Sequence, residues 1–186
     1  MPARVRKVAL AVHLTSSIGW IGAAVAYIPL VVVVLSSEDQ RLVRDAILVM
    51  RSIDWLVILP LAYLALVTGL VMALGTPWGL FRHWWVVFSL LLTLAAVFVL
   101  TEYSLSLREM AAVAVKPTLS YSDLAMLKDP GHAVHNVGGI GVLLAVAVLN
   151  IFKPQGVTRY GWRKHQKRRI LAASRRPKHT PAQSQG

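Results

Sequence analysis

Four long, apolar and uncharged stretches organise the sequence. They cover about residues 8–35, 55–74, 83–101 and 133–152, and a helix needs roughly 20 residues to cross the hydrocarbon core of a bilayer. Helix is the expected conformation, because every backbone polar group in lipid must find its partner within the segment. No alternation of period two suggests a barrel. The pattern therefore predicts an all-α integral membrane protein, with a four-helix transmembrane bundle over residues 1–152.

The connections between the spans also carry a helical pattern. Apolar residues at positions 42, 43, 46, 47, 49, 50 and 53 share one helical face. This predicts that the second helix extends beyond the membrane, with Ser37 as its N-cap. The third helix is expected to extend in the same way and to end near Lys116, just before Pro117. The stretch SYSDLAMLKDPG predicts a short helix or turn that leads into the fourth span.

Lysine and arginine are divided unequally between the two ends of this bundle. Fourteen of the twenty lie in the N-terminus, in the loop between the second and third spans, and after Phe152. The other two connections hold six, together with every acidic residue: Glu38, Asp39, Asp45, Asp54, Glu102, Glu109, Asp123 and Asp129. Because the basic side of a membrane protein is the cytoplasmic one, we expect a multi-pass protein of the cell membrane with both termini in the cytoplasm.

The formal charge of +12 has a second source in the basic tail, residues 153–186. In a soluble protein such a charge would suggest nucleic-acid binding, but the topology explains it here and no nucleic acid is expected. The tail is polar and is predicted to be partly disordered. Its basic stretch from Arg159 to Arg169 favours contact with anionic lipid headgroups. A solvated flank of the last span is the alternative.

The first span carries a polar stripe. Its members are spaced by three or four residues, or are adjacent, and so share one helical face: His13, Ser16, Ser17, Trp20, Ala24 and Tyr27. We expect this face to point into the bundle, because a polar group that faces lipid is costly. Gly19 and Gly22 lie beside the stripe and would let another helix approach closely.

Histidines near the cytoplasmic side are candidate cofactor ligands. Neutral imidazole is the commonest metal ligand, and haem iron is often held by histidine between the helices of a bundle. His13 is the first candidate. His83 lies at the same level, and beside Arg82 it is also interpreted as an interfacial anchor. For each histidine, a packing or hydrogen-bonding role is the alternative.

A second histidine pair is predicted at the opposite end of the bundle. His132 and His135 begin the fourth span at positions i and i+3, level with Asp54 and Glu102. Imidazole and carboxylate together suit copper or zinc. These four residues are therefore the candidate metal site. No lysine, arginine or carboxylate is expected in mid-membrane, which disfavours an ion-coupled transporter.

Several motifs resemble a known group of membrane proteins. VHLTSSIGWIG followed by YIP, then TGLVMAL, then PWGLFRHWW resemble a family of small predicted integral membrane proteins of unknown function, over about residues 5–105. That family is distantly similar to the copper-resistance-D-like proteins and to the four-helix, haem-binding protoporphyrinogen oxidases. In the haem-binding relatives a histidine seven residues before a tryptophan ligates haem, and His13 and Trp20 match this spacing. Those relatives carry a lysine where this chain has Ser89, so the oxidase activity is not carried over.

These observations predict a membrane protein that binds a b-type haem or a metal inside the bundle, in electron transfer or in haem or copper handling. The candidate cofactor-binding residues are His13, Ser17, Trp20, Ser89 and His83. The alternatives are a non-catalytic accessory or scaffold protein, or a small carrier component. The chain has no cysteine, which excludes disulfides, thiolate metal ligands and a cysteine nucleophile. No catalytic residue is assigned, and a homo-oligomer or a larger membrane complex is the expected assembly.

Overall fold

The computed structural model describes residues 1–76, 79–164 and 166. Its main elements are seven helices: α1 (Ala3–Ala26), α2 (Ile28–Ser36), α3 (Gln40–Ile53), α4 (Leu59–Gly75), α5 (Trp84–Ala114), α6 (Tyr121–Leu127) and α7 (Gly131–Phe152). They join into four helical stretches that are long and apolar enough to cross a membrane: Ala3–Ser36, Gln40–Gly75, Trp84–Ala114 and Tyr121–Phe152. The predicted all-α architecture with four long apolar helices is thus confirmed.

Two prolines set the breaks within these long helices. The ring of a proline clashes with the carbonyl four residues earlier and removes one backbone donor. Pro29 follows the interruption at Tyr27 that separates α1 from α2. Pro60 follows a single π-helical turn, Asp54–Ile58, which joins α3 to α4. Each break therefore has a local cause in the sequence.

The four long helical stretches form a closed ring. Stretches that follow one another along the chain also pack together in space. α1 packs most extensively on α4, α4 on α5, α5 on α7, and α7 returns to α1. The Met1 side chain lies against Gly75 at the end of α4, and Val157 pairs with His83 just before α5. The N-terminus and the first part of the tail therefore lie at one end, which we call the terminal end. The opposite one is the distal end.

The most tightly buried apolar residues lie at the distal end. α5 has 31 residues, so it is about 46 Å long against a hydrocarbon core of about 30 Å. At this end, α2, α3, α6 and the last third of α5 pack into what we call the distal cap. Its fully buried side chains are Val34, Val43, Ile47, Met50, Leu107 and Leu127. Burial of apolar side chains from water is the driving force for this kind of packing.

The connections agree with the sequence except at one cap. The fully buried residues of α3 belong to the predicted apolar face, α5 ends two residues before Lys116, and α6 is the predicted short helix. The N-cap of α3 is Asp39 rather than Ser37, since the Asp39 side chain accepts from the Arg41 amide. Ser37 instead accepts from the amide of Asp39 and supports the cap from outside the helix.

The polar stripe of α1 faces the other helices, as predicted. Ser16, Trp20, Ala24 and Tyr27 are buried, whereas His13 and Ser17 are half-buried. Gly19 lets α4 approach, because a Cβ there would meet Leu61 at 3.1 Å. A Cβ on Gly22 would meet nothing within 4 Å among the described residues, so the close approach expected there is not made inside this part of the chain. Of the predicted tail, residue 165 and residues 167–186 lie outside the described residues.

Tyr27 links the two breaks, since its buried hydroxyl donates to the Met50 carbonyl one turn before the π-helical turn. We expect Tyr27→Phe to lower the free energy of unfolding by about 1 kcal/mol, the net contribution of one buried hydrogen bond. Tyr63→Phe is the matched control, because the Tyr63 hydroxyl makes an exposed bond to Thr101. Thermal unfolding in detergent would measure both variants. Equal melting temperatures for the two would contradict a special role for Tyr27.

Candidate functional site

His13 is held by one of its two ring nitrogens at the seam between α1 and α4. Its Nδ1 lies 3.0 Å from the Ala65 carbonyl oxygen and 3.2 Å from the Thr68 hydroxyl. A carbonyl only accepts, so Nδ1 carries the ring proton of a neutral imidazole and donates it. Thr68 directs its own proton to the Leu64 carbonyl, 2.6 Å away, and can therefore accept from His13. The lone pair of the imidazole is left on Nε2.

Gly69 makes room for this ring. A Cβ at position 69 would lie 3.0 Å from Cε1 of His13, closer than ordinary van der Waals contact. The imidazole therefore packs directly on the backbone of α4. On its own helix, the His13 carbonyl accepts from the Ser16 hydroxyl at 3.0 Å. Sequence reasoning identified His13 but not Thr68 and Gly69 as its contacts, although both stand in the quoted TGLVMAL motif.

The remaining predicted cofactor residues are distributed over several interfaces between helices. Trp20 is buried on the His13 face of α1, and Ser17 is half-buried beside it. Ser89 is buried on α5, where its hydroxyl accepts from the Asn150 side chain of α7 at 3.4 Å. His83 precedes α5 and pairs through its backbone with Val157. The structure thus places His13, Ser17 and Trp20 along one helix face, while Ser89 and His83 contact α7 and the tail.

A second polar group lies where the distal cap meets the apolar spans. Asp54, at the start of the π-helical turn, is only 1% exposed. Its Oδ2 accepts from the Ser104 hydroxyl at 2.5 Å and from Arg51 at 3.2 Å, and the same Arg51 nitrogen reaches the Ser104 oxygen at 3.2 Å. The three side chains close a triangle between the second and third spanning helices.

The histidine pair lies next to this triangle. Nδ1 of His132 is 2.8 Å from the Tyr103 hydroxyl, and its Nε2 is 3.1 Å from the Leu127 carbonyl oxygen. The His135 ring stacks on Tyr103 with 3.9 Å between centroids and 11° between planes. Tyr103 also lies within electrostatic range of Asp54. We call Arg51, Asp54, Tyr103, Ser104, His132 and His135 the distal polar cluster.

The four residues predicted as a metal site do not converge as ligands. Both nitrogens of His132 are engaged, Asp54 is bound by Arg51 and Ser104, and Glu102 is exposed. No set of three or more histidine, aspartate or glutamate side chains able to hold a metal occurs in residues 1–76, 79–164 and 166. Copper or zinc at His132, His135, Asp54 and Glu102 stays a prediction, and it would require His132 to exchange one of its hydrogen bonds.

The fully buried polar atoms of the distal polar cluster all have hydrogen-bond partners. Across the described ranges, every buried side-chain nitrogen or oxygen has a hydrogen-bond partner. A fully satisfied buried network rigidifies a fold and specifies one arrangement of its helices. Sequence reasoning named Asp54 and the two histidines. It missed Arg51 and Ser104 as the partners of Asp54, and Tyr103 as the partner of His132. The i, i+3 spacing of Arg51 and Asp54 was the available signal.

Comparisons with known proteins identify no relative of this chain. No protein-family profile, curated protein or solved structure matches the chain. The resemblance carried by VHLTSSIGWIG and PWGLFRHWW therefore stays a prediction. The function is therefore inferred from the surroundings of His13 and from the distal polar cluster.

Removal of the Asp54 carboxylate leaves Arg51 and Ser104 without their common acceptor. We expect Asp54→Ala to lower the free energy of unfolding by about 3 kcal/mol, because breaking one side of a buried ion pair exposes the full desolvation cost of the other. Glu102→Ala, which removes an exposed carboxylate of the same end, is the control and should change it by less than about 0.5 kcal/mol. Denaturation in mixed micelles measures both, and similar losses would refute the importance of burial at Asp54.

Proposed function

We propose that this chain is a four-span protein of the cell membrane with both termini in the cytoplasm. Four helices of sufficient length and apolarity support the four crossings. The N-terminus, the loop before α5 and the first part of the tail lie at one end. By sequence, the N-terminus, this loop and the tail contain fourteen of the twenty lysines and arginines. The opposite end carries all eight acidic residues. This asymmetry supports a cytoplasmic terminal end.

Cysteine labelling tests this orientation cleanly, because the chain has no cysteine of its own. Ala112 is exposed at the distal end and Gln155 is exposed at the terminal end. In intact cells we expect a membrane-impermeant maleimide to label Ala112→Cys and to leave Gln155→Cys unlabelled until the cells are lysed. The reverse pattern would overturn the orientation, and labelling of both residues in intact cells would overturn the four crossings.

The function we propose is binding of a b-type haem, or of a transition metal, by Nε2 of His13. One observation carries the proposal: Nδ1 of His13 donates to the Ala65 carbonyl, which leaves the lone pair on Nε2. A metal-ligating histidine almost always donates its other ring N–H to a carbonyl or carboxylate, because this fixes the tautomer and the ring orientation. His13 therefore has the donor chemistry of a ligand. Bound haem iron would supply one-electron chemistry.

The surroundings of His13 define the roles of the neighbouring residues. The Ala65 carbonyl and the Thr68 hydroxyl orient the ring, and Gly69 allows it to lie on α4. Trp20 lies two turns along the same face of α1 and is buried, and it would form an apolar side of a cofactor site beside His13. Ser17 and Ser89 are candidate polar contacts for such a cofactor.

A spectrum of the purified protein tests the proposal. We expect a Soret band with reducible α and β bands, or a stoichiometric metal by elemental analysis, in protein prepared from cells supplied with haem and metal. His13→Ala should abolish the signal. Thr68→Val keeps the volume of the side chain and removes one bond to Nδ1, so it should weaken binding about tenfold. His135→Phe is the control, since it removes an imidazole of the distal polar cluster while keeping an aromatic ring to stack on Tyr103.

Two results would contradict this function. A signal that persists in His13→Ala would exclude His13 as the ligand. Wild-type protein without haem or metal would exclude the cofactor. The second candidate, a non-catalytic accessory protein, is favoured by the fit of the His13 ring on Gly69, which interlocks α1 and α4. For that candidate, His13→Ala should lower stability without changing any spectrum.

A further inference from the structure

The tail does not leave the bundle directly after α7. Lys153 adopts a left-handed conformation, with φ of 44°, and ends the helix. The chain then runs back along the connection between α4 and α5, where Val157 forms an antiparallel bridge with His83. The Trp84 amide donates to the Gly156 carbonyl at 3.1 Å, and the Thr158 amide donates to the Arg82 carbonyl at 3.0 Å.

Thr158 anchors this contact. Its side chain is buried, and its hydroxyl donates to the Phe81 carbonyl. The same oxygen accepts from the Gly161 amide at 3.1 Å, which is the geometry of an N-cap. Residues 159–164 are helical behind this cap. One threonine therefore both fixes the tail to the connection and starts the helix that follows.

Gly161 sets how closely the two segments approach. A Cβ at this position would lie 2.5 Å from the Arg82 carbonyl oxygen and 2.7 Å from the Val157 side chain. The first of these atoms is backbone and cannot move aside as a flexible side chain can. Gly156 differs, because a Cβ there would meet only the Trp84 side chain at 3.6 Å, an ordinary contact. The docked arrangement thus requires glycine at 161 but not at 156.

Docking brings exposed aromatic side chains together at the terminal end. Phe81, Trp84, Tyr160 and Trp162 are each at least half exposed. The Trp84 ring stacks on Phe88 in the first turns of α5, with centroids 5.8 Å apart. Tryptophan and tyrosine favour the headgroup level of a membrane, where one part of the ring is apolar and another is polar. This group of rings therefore belongs at the bilayer surface.

Basic side chains lie among these rings. Arg159, Arg163 and Lys164 are exposed, and the Lys164 ammonium lies 5.9 Å from the centre of the Tyr160 ring. The sequence has no acidic residue before Glu38, between Asp54 and Glu102, or after Asp129. The terminal end therefore offers no acidic side chain to neutralise these cations, and an anionic partner would complement their charge.

We propose that residues 81–84 and 156–164, which we call the docked platform, form a binding surface for the headgroups of anionic phospholipids. The aromatic rings set its depth in the bilayer and the three basic side chains contact the lipid phosphates. Docking on the α4–α5 connection holds these groups at headgroup level. A nucleic-acid surface would account for the charge but not for the aromatic rings beside the start of a spanning helix.

Lipid binding to the full-length protein in detergent tests the platform. Native mass spectrometry would compare phosphatidylglycerol with phosphatidylcholine of the same acyl chains. We expect wild-type protein to bind the anionic lipid at least about tenfold more tightly, given the attraction of each basic residue to an anionic surface. The combined variant Arg159→Ala, Arg163→Ala, Lys164→Ala should lose this preference.

The variant Gly161→Ala tests the docking of the tail without changing the charge of the docked platform. It keeps every basic residue, yet we expect it to lose most of the preference and to be cleaved by trypsin after Arg159 faster than wild type. Gly156→Ala is the matched control and should behave as wild type in both assays. Equal affinity of the wild type for the two lipids would overturn the proposal. So would a Gly161→Ala variant with unchanged cleavage, or with faster cleavage and an undiminished lipid preference.

Discussion

The pairing of backbone polar groups, which the lipid environment that we propose would make obligatory, dominates this structure. It makes each apolar stretch a helix, and it leaves few places where a helix can break. Pro29 and Pro60 force two breaks, and both lie toward the distal end. There the chain supplies side-chain partners close to the altered backbone: Tyr27 donates to the Met50 carbonyl, and Asp54 binds Arg51 and Ser104. The distal polar cluster therefore lies where the helical backbone departs from regularity.

The two ends of the bundle are built by different forces. At the distal end, helices that protrude from the spans bury Ile47, Met50 and Leu107 completely, as water-exposed helices must. Along the long apolar helices, large side chains such as Leu56 and Phe98 remain exposed, as the lipid surroundings that we propose would favour. His13 lies in this second part of the bundle, among the long apolar helices. Its contact with α4 depends on a small residue and a hydrogen bond rather than on burial of apolar area.

The sequence predicted the features that depend on residues close together along the chain. The spans follow from the length of the apolar runs, and the inward face of α1 follows from the spacing of His13, Ser16 and Trp20. The partners of these residues were not predictable in the same way. Whether Asp54 meets Ser104 or His132 depends on the depth and rotation of three helices, which no single helix encodes. The bridge between His83 and Val157 joins positions that are distant in sequence. The basic residues around it indicated contact with anionic headgroups, but not the docking of the tail on the α4–α5 connection.

Docking of Thr158 on Phe81 also changes where the rest of the chain emerges. A tail that followed α7 directly would leave the bundle beneath that helix and could sweep a wide area. Here the tail is redirected toward the first turn of α5 before it continues, so its point of departure is fixed relative to a different helix. A segment that continues from the helical residues 159–164 therefore starts beside α5 rather than beneath α7.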